Sequence, residues 1–185
     1  MADQDLRLSP LGSVNEGFPE GLREIGFQTQ INLRGNIEDT AFSAAIKSAI
    51  GVDLSSVPNK VSQENDIKAL WLSPDEWLIV AGDGQQSALV QKLEKALTGQ
   101  HVAVNDLSAN RTVFELTGPD AHTALMKSCE IDLHPRVFLP GDCVQTLIAK
   151  SQVLIEQTDL EAFHLYVRCS FSQYIGAWLA DTLNS

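Results

Sequence analysis

The chain has 185 residues, of which 44% are hydrophobic and 20% are charged, so it is long enough for one sizeable core or two half-domains and is not disordered. Its net charge of −11 argues against a surface for nucleic acid or anionic membranes, because phosphates are bound by clustered Lys and Arg, and only 13 such residues are present. The N-terminal residues lack the features of a signal peptide and no apolar run reaches about 20 residues, so we expect a cytoplasmic protein without membrane contact.

The first 106 residues predict an irregular arm followed by one α+β unit. Residues 1–23 contain several Gly and Pro among scattered charges, which indicates an irregular N-terminal arm. Residues 24–106 form the first predicted half-domain, with a ferredoxin-like β-α-β-β-α-β order and a loop up to about Asp66. Its predicted elements are strands at 25–33, 67–72, 76–81 and 101–104, a helix capped by Asn36 or Asp39 and stopped by Gly51, and a helix capped by Asp83.

Residues 107–185 begin the same plan again and predict a second half-domain, packed with the first into one globule. We predict strands at 111–117, 143–149, 152–157 and 162–168, and a helix over 119–128 that begins with a proline. A final helix capped by Ser170 would bury Phe171, Ile175, Trp178, Leu179 and Leu183. The predicted fold class is therefore α+β, with two ferredoxin-like half-domains of antiparallel sheet plus helices.

The sequence shows no assembled catalytic or cofactor motif. It contains no glycine-rich nucleotide loop and no serine nucleophile elbow. Its three cysteines, Cys129, Cys143 and Cys169, have no paired spacing, so we expect free thiols rather than disulfides. Cys129 and His134 do not have the spacing of a zinc pair. We predict no catalytic, cofactor-binding or metal-binding residues on this chain.

Seven residues are candidates for contact with a partner protein, each with an ordinary structural alternative. A proline-bracketed loop presents a histidine, an arginine and large apolar side chains together, and the alternative is plain loop packing. Two tryptophans flank a predicted hairpin and could equally pack in the core. Two arginines bracket strands and could instead form ordinary ion pairs. The candidates are Trp71, Trp77, Arg111, His134, Arg136, Phe138 and Arg168.

Several motifs in one order resemble the gamma-subunit family of heterotetrameric sarcosine oxidases. They are ALWLSPDEWL at 69–78, DLSANRT at 106–112, LTGPDA at 116–121, DLHPRVFLPG at 132–141, QT at 145–146 and LYVRCSF at 165–171. The resemblance covers about residues 20–183. The second and third motifs are also similar to the folate-binding aminomethyltransferase of the glycine cleavage system, the T-protein. This resemblance implies a fold similar to the folate-binding domain of that protein.

The resemblance implies a subunit of a four-chain complex, with alpha, beta and delta chains as its partners. Such complexes oxidise sarcosine to glycine, transfer the one-carbon unit to tetrahydrofolate and release hydrogen peroxide. The family implies FAD, FMN, NAD, tetrahydrofolate and zinc on the other subunits, and a structural role for the gamma chain.

Two alternatives stay open at this point. The first is an autonomous folate-dependent transferase. The superfamily places a Gly-Gly turn and an acidic pair after a strand that corresponds to the region of residues 145–156, where this chain has only Glu156. The second alternative is a stand-alone binding module for a small amine or another protein.

Overall fold

This computed structural model describes residues 7–12 and 17–184. The described residues contain two antiparallel sheets, each of five strands, and four α-helices. The first half of the chain contains β1 (Leu22–Glu24), β2 (Thr29–Arg34), α1 (Thr40–Ile50), β3 (Val61–Glu64), β4 (Ile67–Ser73), β5 (Glu76–Ala81), α2 (Gln86–Ala96) and β6 (Ala103–Asp106). The second half contains β7 (Arg111–Thr117), α3 (Ala121–Ser128), β8 (Cys143–Ile148), β9 (Ser151–Asp159), β10 (Ala162–Arg168) and α4 (Ser172–Asn184).

The first sheet has the strand order β3-β4-β5-β2-β6. Without β3, the order read from the other edge is β6-β2-β5-β4. Numbered in chain order, these are the fourth, first, third and second strands of the unit, which is the ferredoxin-like arrangement predicted from the β-α-β-β-α-β pattern. The edge strand β3 lies in the stretch that we predicted to be a loop. It pairs with β4 from Val61 opposite Leu70 to Glu64 opposite Ile67. The first half-domain is therefore a ferredoxin-like unit with one additional edge strand.

The second sheet has the order β1-β7-β10-β9-β8 and repeats this plan with one change. Its additional edge strand is β8, and the strand that would follow α4 is supplied by β1 at the other end of the chain. Leu22 pairs with Leu116, and Glu24 pairs with Phe114. The arm predicted for residues 1–23 is thus not irregular throughout, because residues 22–24 complete the second sheet.

The predicted ends of α1 are confirmed, whereas the predicted N-caps of α2 and α4 are wrong. Asp39 caps α1 by accepting a hydrogen bond from the Ala41 N–H at 2.9 Å, and Gly51 ends it with a φ of +82°. The predicted Asp83 cap of α2 is wrong, because that carboxylate pairs with Arg7 and the helix begins at Gln86. The predicted Ser170 cap is also wrong, since residues 169–171 form a 3₁₀ turn before α4.

The core has three layers of apolar contacts between four layers of structure. Helices α1 and α2 cover the outer face of the first sheet, where Ile31, Trp77 and Ile79 are buried. Helices α3 and α4 cover the outer face of the second sheet around Phe114 and Leu165. The inner faces pack on each other through Leu70, Leu72, Leu78, Val80, Val113, Cys143, Leu154 and Tyr166. This shared layer packs the inner faces of the two half-domains against each other.

Candidate functional site

A buried carboxylate joins the inner faces of the two sheets. Glu156 on β9 is 3% exposed, and its Oε1 accepts a hydrogen bond from Lys68 Nζ on β4 at 2.6 Å. Its Oε2 accepts a hydrogen bond from the Tyr166 hydroxyl at 2.7 Å, and His164 Nδ1 lies 3.6 Å away. Both carboxylate oxygens are therefore occupied by groups of the chain itself, and the ion pair fixes one half-domain against the other.

Burial and neighbouring groups shift the pKa values of Glu156 and Tyr166. Burial on its own raises the pKa of Glu156, but His164, Lys68 and Tyr166 together outweigh it, so the pKa lies below its ordinary value. Burial, followed by the charge of Glu156, raises the pKa of Tyr166 well above its ordinary value. At neutral pH the carboxylate stays ionised and the phenol stays protonated. Glu156 is thus a buried anion, and each of its oxygens already accepts a hydrogen bond from a side chain of this chain.

Two arginines lie side by side at one end of the inner face of the second sheet. Arg111 on β7 and Arg168 on β10 are directly opposite each other in register. Neither guanidinium has a hydrogen bond or an ion pair with any residue in the described ranges, and the Nη1 atom of Arg111 is buried. Burial lowers the pKa of Arg111, and Arg168 lowers it further, while Glu76 opposes both effects. The ordinary ion pairs that we considered as alternatives are not present in this part of the chain.

These arginines open into a polar cavity of about 720 Å³ between the ends of the sheets. Gln145 and Gln152 line it from β8 and β9, and Glu76 and Glu130 contribute carboxylates. Glu76 Oε1 already accepts a hydrogen bond from Asn32 at 2.7 Å. The cavity therefore presents two guanidiniums without an ion pair among the described residues, and one of its two carboxylates, Glu76, is already bound to Asn32.

A second cavity of about 430 Å³ lies beneath residues 7–10 of the arm and beside the segment 24–28 that crosses between the sheets. Arg7 holds the arm in place through Asp83 and through the face of the Phe27 ring, 4.6 Å from its centroid. Gln30 projects a buried Oε1 that has no hydrogen-bond partner in the described residues, while its Nε2 donates to the Arg111 carbonyl at 3.1 Å. This cavity is mostly apolar and carries no assembled catalytic group.

The predicted partner-contact residues lie in different environments. Trp77 is fully buried and donates from Nε1 to the Ser55 carbonyl at 3.0 Å, so it is a core residue and not a surface anchor. Phe138 is 6% exposed and packs into the core under α3, which is the loop-packing alternative. Trp71 is half-buried against the first core cluster. His134 and Arg136 are exposed on their loop and stay predictions as partner contacts.

The predicted apolar face of the last helix is only partly buried. Ile175 and Leu179 are fully buried, but Phe171, Tyr174 and Trp178 are 43%, 41% and 38% exposed. The Trp178 indole donates to Ser128 Oγ at 3.2 Å, and its ring lies 6.4 Å from that of Tyr174. Phe171 and Trp178, which periodicity assigned to the buried face, therefore lie with Tyr174 in an exposed aromatic stripe.

The described residues contain no group of three His, Cys, Asp or Glu side chains placed to hold a metal ion. The three thiols are free, and burial raises the pKa of the Cys143 thiol to about 12. No helix within residues 7–12 and 17–184 is long and apolar enough to cross a membrane.

Comparisons with known proteins agree on one family. The family model described as sarcosine oxidase, gamma subunit family, matches residues 34–185. The gamma subunit of sarcosine oxidase from Arthrobacter sp. is 38% identical over 186 residues, covering 96% of this chain and 90% of that protein.

Two solved structures share the fold. A chain of the heterotetrameric sarcosine oxidase from Corynebacterium sp. U-96, in complex with pyrrole 2-carboxylate, superposes with a TM-score of 0.88 at 35% identity, covering 97% of this chain and 95% of that chain. The glycine cleavage system aminomethyltransferase T from Bartonella henselae superposes with a TM-score of 0.62 at 19% identity, covering 86% of this chain and 45% of that one, which shows a shared fold alone. The chain belongs to the sarcosine oxidase gamma subunit family.

Proposed function

We propose that this chain is the gamma subunit of a cytoplasmic heterotetrameric sarcosine oxidase, where it binds alpha, beta and delta chains and supports assembly without catalysing a step. The complex would oxidise sarcosine with oxygen, pass the one-carbon unit to tetrahydrofolate, and yield glycine and hydrogen peroxide. The observation that carries this proposal is the nearly full-length match in sequence and structure to a chain of a heterotetrameric sarcosine oxidase.

The arrangement of Glu156 supports a role without catalysis. A general acid or base needs an oxygen within hydrogen-bond reach of the substrate and a pKa suited to proton transfer at the working pH. Both oxygens of Glu156 are bound by side chains of this chain, and its pKa lies below the ordinary value. The same reasoning counts against an autonomous folate-dependent transferase, whose chemistry would need that position.

We place the cofactors of the complex on the other subunits. FAD, FMN and NAD bind through glycine-rich phosphate loops or comparable basic sites, and this sequence has no such loop. Zinc needs a set of three or four ligands, and the described part of the chain brings no such set together. We also place tetrahydrofolate on another subunit, because the carboxylate that folate chemistry would use, Glu156, is bound within this chain.

Reconstitution tests the proposed function. The alpha, beta and delta chains are expressed with and without this chain, and sarcosine-dependent hydrogen peroxide formation and complex mass are measured. We expect a complex without this chain to be incomplete in mass and to lose most of its activity, with recovery when purified chain is added. Full activity and an unchanged mass without it would overturn the proposal.

A variant separates scaffolding from catalysis. Glu156→Gln should leave the activity per assembled complex unchanged, because the carboxylate touches only groups of this chain. Calorimetry of the isolated wild-type chain with tetrahydrofolate should show no binding. Folate binding that is lost in Glu156→Gln would instead support the transferase.

A further inference from the structure

The inner face of the second sheet extends beyond the first sheet at one end. Tyr166 and Leu154 are buried between the sheets. Arg168 and Gln152 are two positions away from these residues on the same strands, so alternation places them on the same face. Both are nevertheless exposed. Arg111 and Leu147 are their cross-strand partners. We call these four residues, Arg111, Arg168, Gln152 and Leu147, the arginine ledge.

The arginine ledge carries an electrostatic cost in the isolated chain. Like charges placed directly opposite each other on neighbouring strands are destabilising. A buried donor without a partner, such as Arg111 Nη1, adds the cost of lost hydration. The chain has 24 carboxylates, yet none in the described ranges pairs with either guanidinium. A carboxylate placed between the two arginines would remove both costs.

The surroundings favour a carboxylate on a protein over a free one. Leu147 is 52% exposed and stands on the same ledge, so an occupant that covers the whole ledge buries an apolar side chain as well. Gln152 offers an amide to the backbone or side chains of such an occupant. The net charge of −11 repels small free anions at a distance, whereas a large partner brings its own apolar area. A planar guanidinium pair also suits bidentate carboxylate recognition.

We infer that the arginine ledge is a docking site for an Asp or Glu side chain of a neighbouring subunit, clamped between Arg111 and Arg168, with Leu147 packed under the same segment. This inference rests on the proposed function, because it needs a partner subunit. It names the surface and the chemistry by which the chain would recognise that partner.

Binding of the full-length chain to the co-expressed alpha, beta and delta chains tests the inference. We expect Arg168→Gln to bind about 10- to 100-fold more weakly, because the docked segment would bury Arg168, and truncation of one partner of a buried, hydrogen-bonded charge pair weakens binding by at least about 10-fold. Arg34→Gln removes the same charge from an exposed arginine already paired with Asp75, and it should bind within about twofold of wild type. Circular dichroism melting checks that both variants are folded.

The outcomes separate the two proposals. If the wild-type chain does not bind the other subunits, the proposed function fails and this inference fails with it. If wild type binds and Arg168→Gln matches Arg34→Gln in affinity, the inference alone is overturned. A further arm adds sodium acetate against sodium chloride at equal ionic strength. Stabilisation of the wild type by millimolar acetate that is absent in Arg168→Gln would make the ledge a small-molecule site and overturn the assignment to a subunit carboxylate.

Discussion

Replacing Lys68 by Met should destabilise the chain strongly, although Lys68 lies on a strand near the surface. Lys68 Nζ donates to Glu156 Oε1 at 2.6 Å, and its side chain is 21% exposed against 3% for the carboxylate. Met has a similar length and packs in the same space, so the change removes the charge and leaves the shape. Glu156 would then remain buried with the Tyr166 hydroxyl and His164 but without its cation.

The expected magnitude follows from the burial of the pair. At hydrogen-bond distance and an effective dielectric constant of about 20, the direct attraction is roughly 6 kcal/mol, part of which desolvation of Lys68 offsets. Loss of one partner of a buried pair costs about 3–5 kcal/mol. Because Lys68 is partly exposed, we expect about 3 kcal/mol, which corresponds to roughly 6–12 °C in melting temperature for a chain of this size.

Urea unfolding monitored by circular dichroism measures this change, with two matched variants. Lys47→Met removes a lysine from an exposed pair with Asp53 and should cost less than about 1 kcal/mol. In the double variant Lys68→Met with Glu156→Gln, most of the lost stability should return, because replacement of both charges is nearly neutral. If Lys68→Met were as stable as Lys47→Met, the pair would not hold the sheets together and the reasoning would be refuted.

Three further predictions concern pH, backbone and thiols. The pKa of Glu156 in the folded chain lies below its value in the unfolded chain, so its stabilising contribution is full above about pH 4.3 and is lost as the pH falls through the folded pKa. The difference in unfolding free energy between wild type and Glu156→Gln should therefore shrink from pH 7 to below pH 4. A difference that stays constant over this range would count against the ion pair. Gly21 has a φ of +87° and an added Cβ would lie 2.4 Å from the Thr117 carbonyl oxygen, so Gly21→Ala should cost about 2 kcal/mol or more, while Gly17→Ala, in open space, should change urea unfolding by less than about 0.5 kcal/mol. Cys143, with a pKa of about 12, should resist a thiol reagent at pH 8 until the chain is unfolded, as peptide mapping would show, and rapid labelling of the folded chain would contradict its burial.

Local patterns predicted most of the regular structure because most elements are stabilised by contacts visible in sequence. Alternation located β7 at its observed bounds, and Asp39 and Gly51 located both ends of α1. The short strands β1 and β3 were missed, since strands of three and four residues carry little periodicity. β3 pairs with the strand that follows it after a two-residue turn, whereas β1 pairs with a strand about 90 residues further along the chain.

The candidate site was predictable only as separate residues. Arg111 and Arg168 stood out because each brackets a strand, but their pairing depends on the register of β7 against β10. The bond between Lys68 and Glu156 spans 88 positions, and no local pattern reports it. The sequence left Trp77 open between core and partner contact because β5 is buried on both faces from Trp77 to Ala81, so alternation does not tell an inner from an outer side chain.

Strand β1 links the two sheets, whose inner faces are mostly buried against each other. The segment 25–28 carries the chain from β1 in the second sheet to β2 in the first, and Ile25 donates from its N–H to the Val113 carbonyl at 2.9 Å. A half-domain starting at residue 107 therefore lacks the strand that covers the free edge of β7, whereas all five strands of the first sheet lie within residues 29–106. The sheets meet through an apolar layer and the Lys68–Glu156 pair, which leaves the arginine ledge as the part of the inner face that stays open. A surface that continues a packed core, carries unpaired charge and ends at solvent is suited to a contact with another chain, which is why we propose the ledge, rather than the buried carboxylate, as the place where this chain meets a partner.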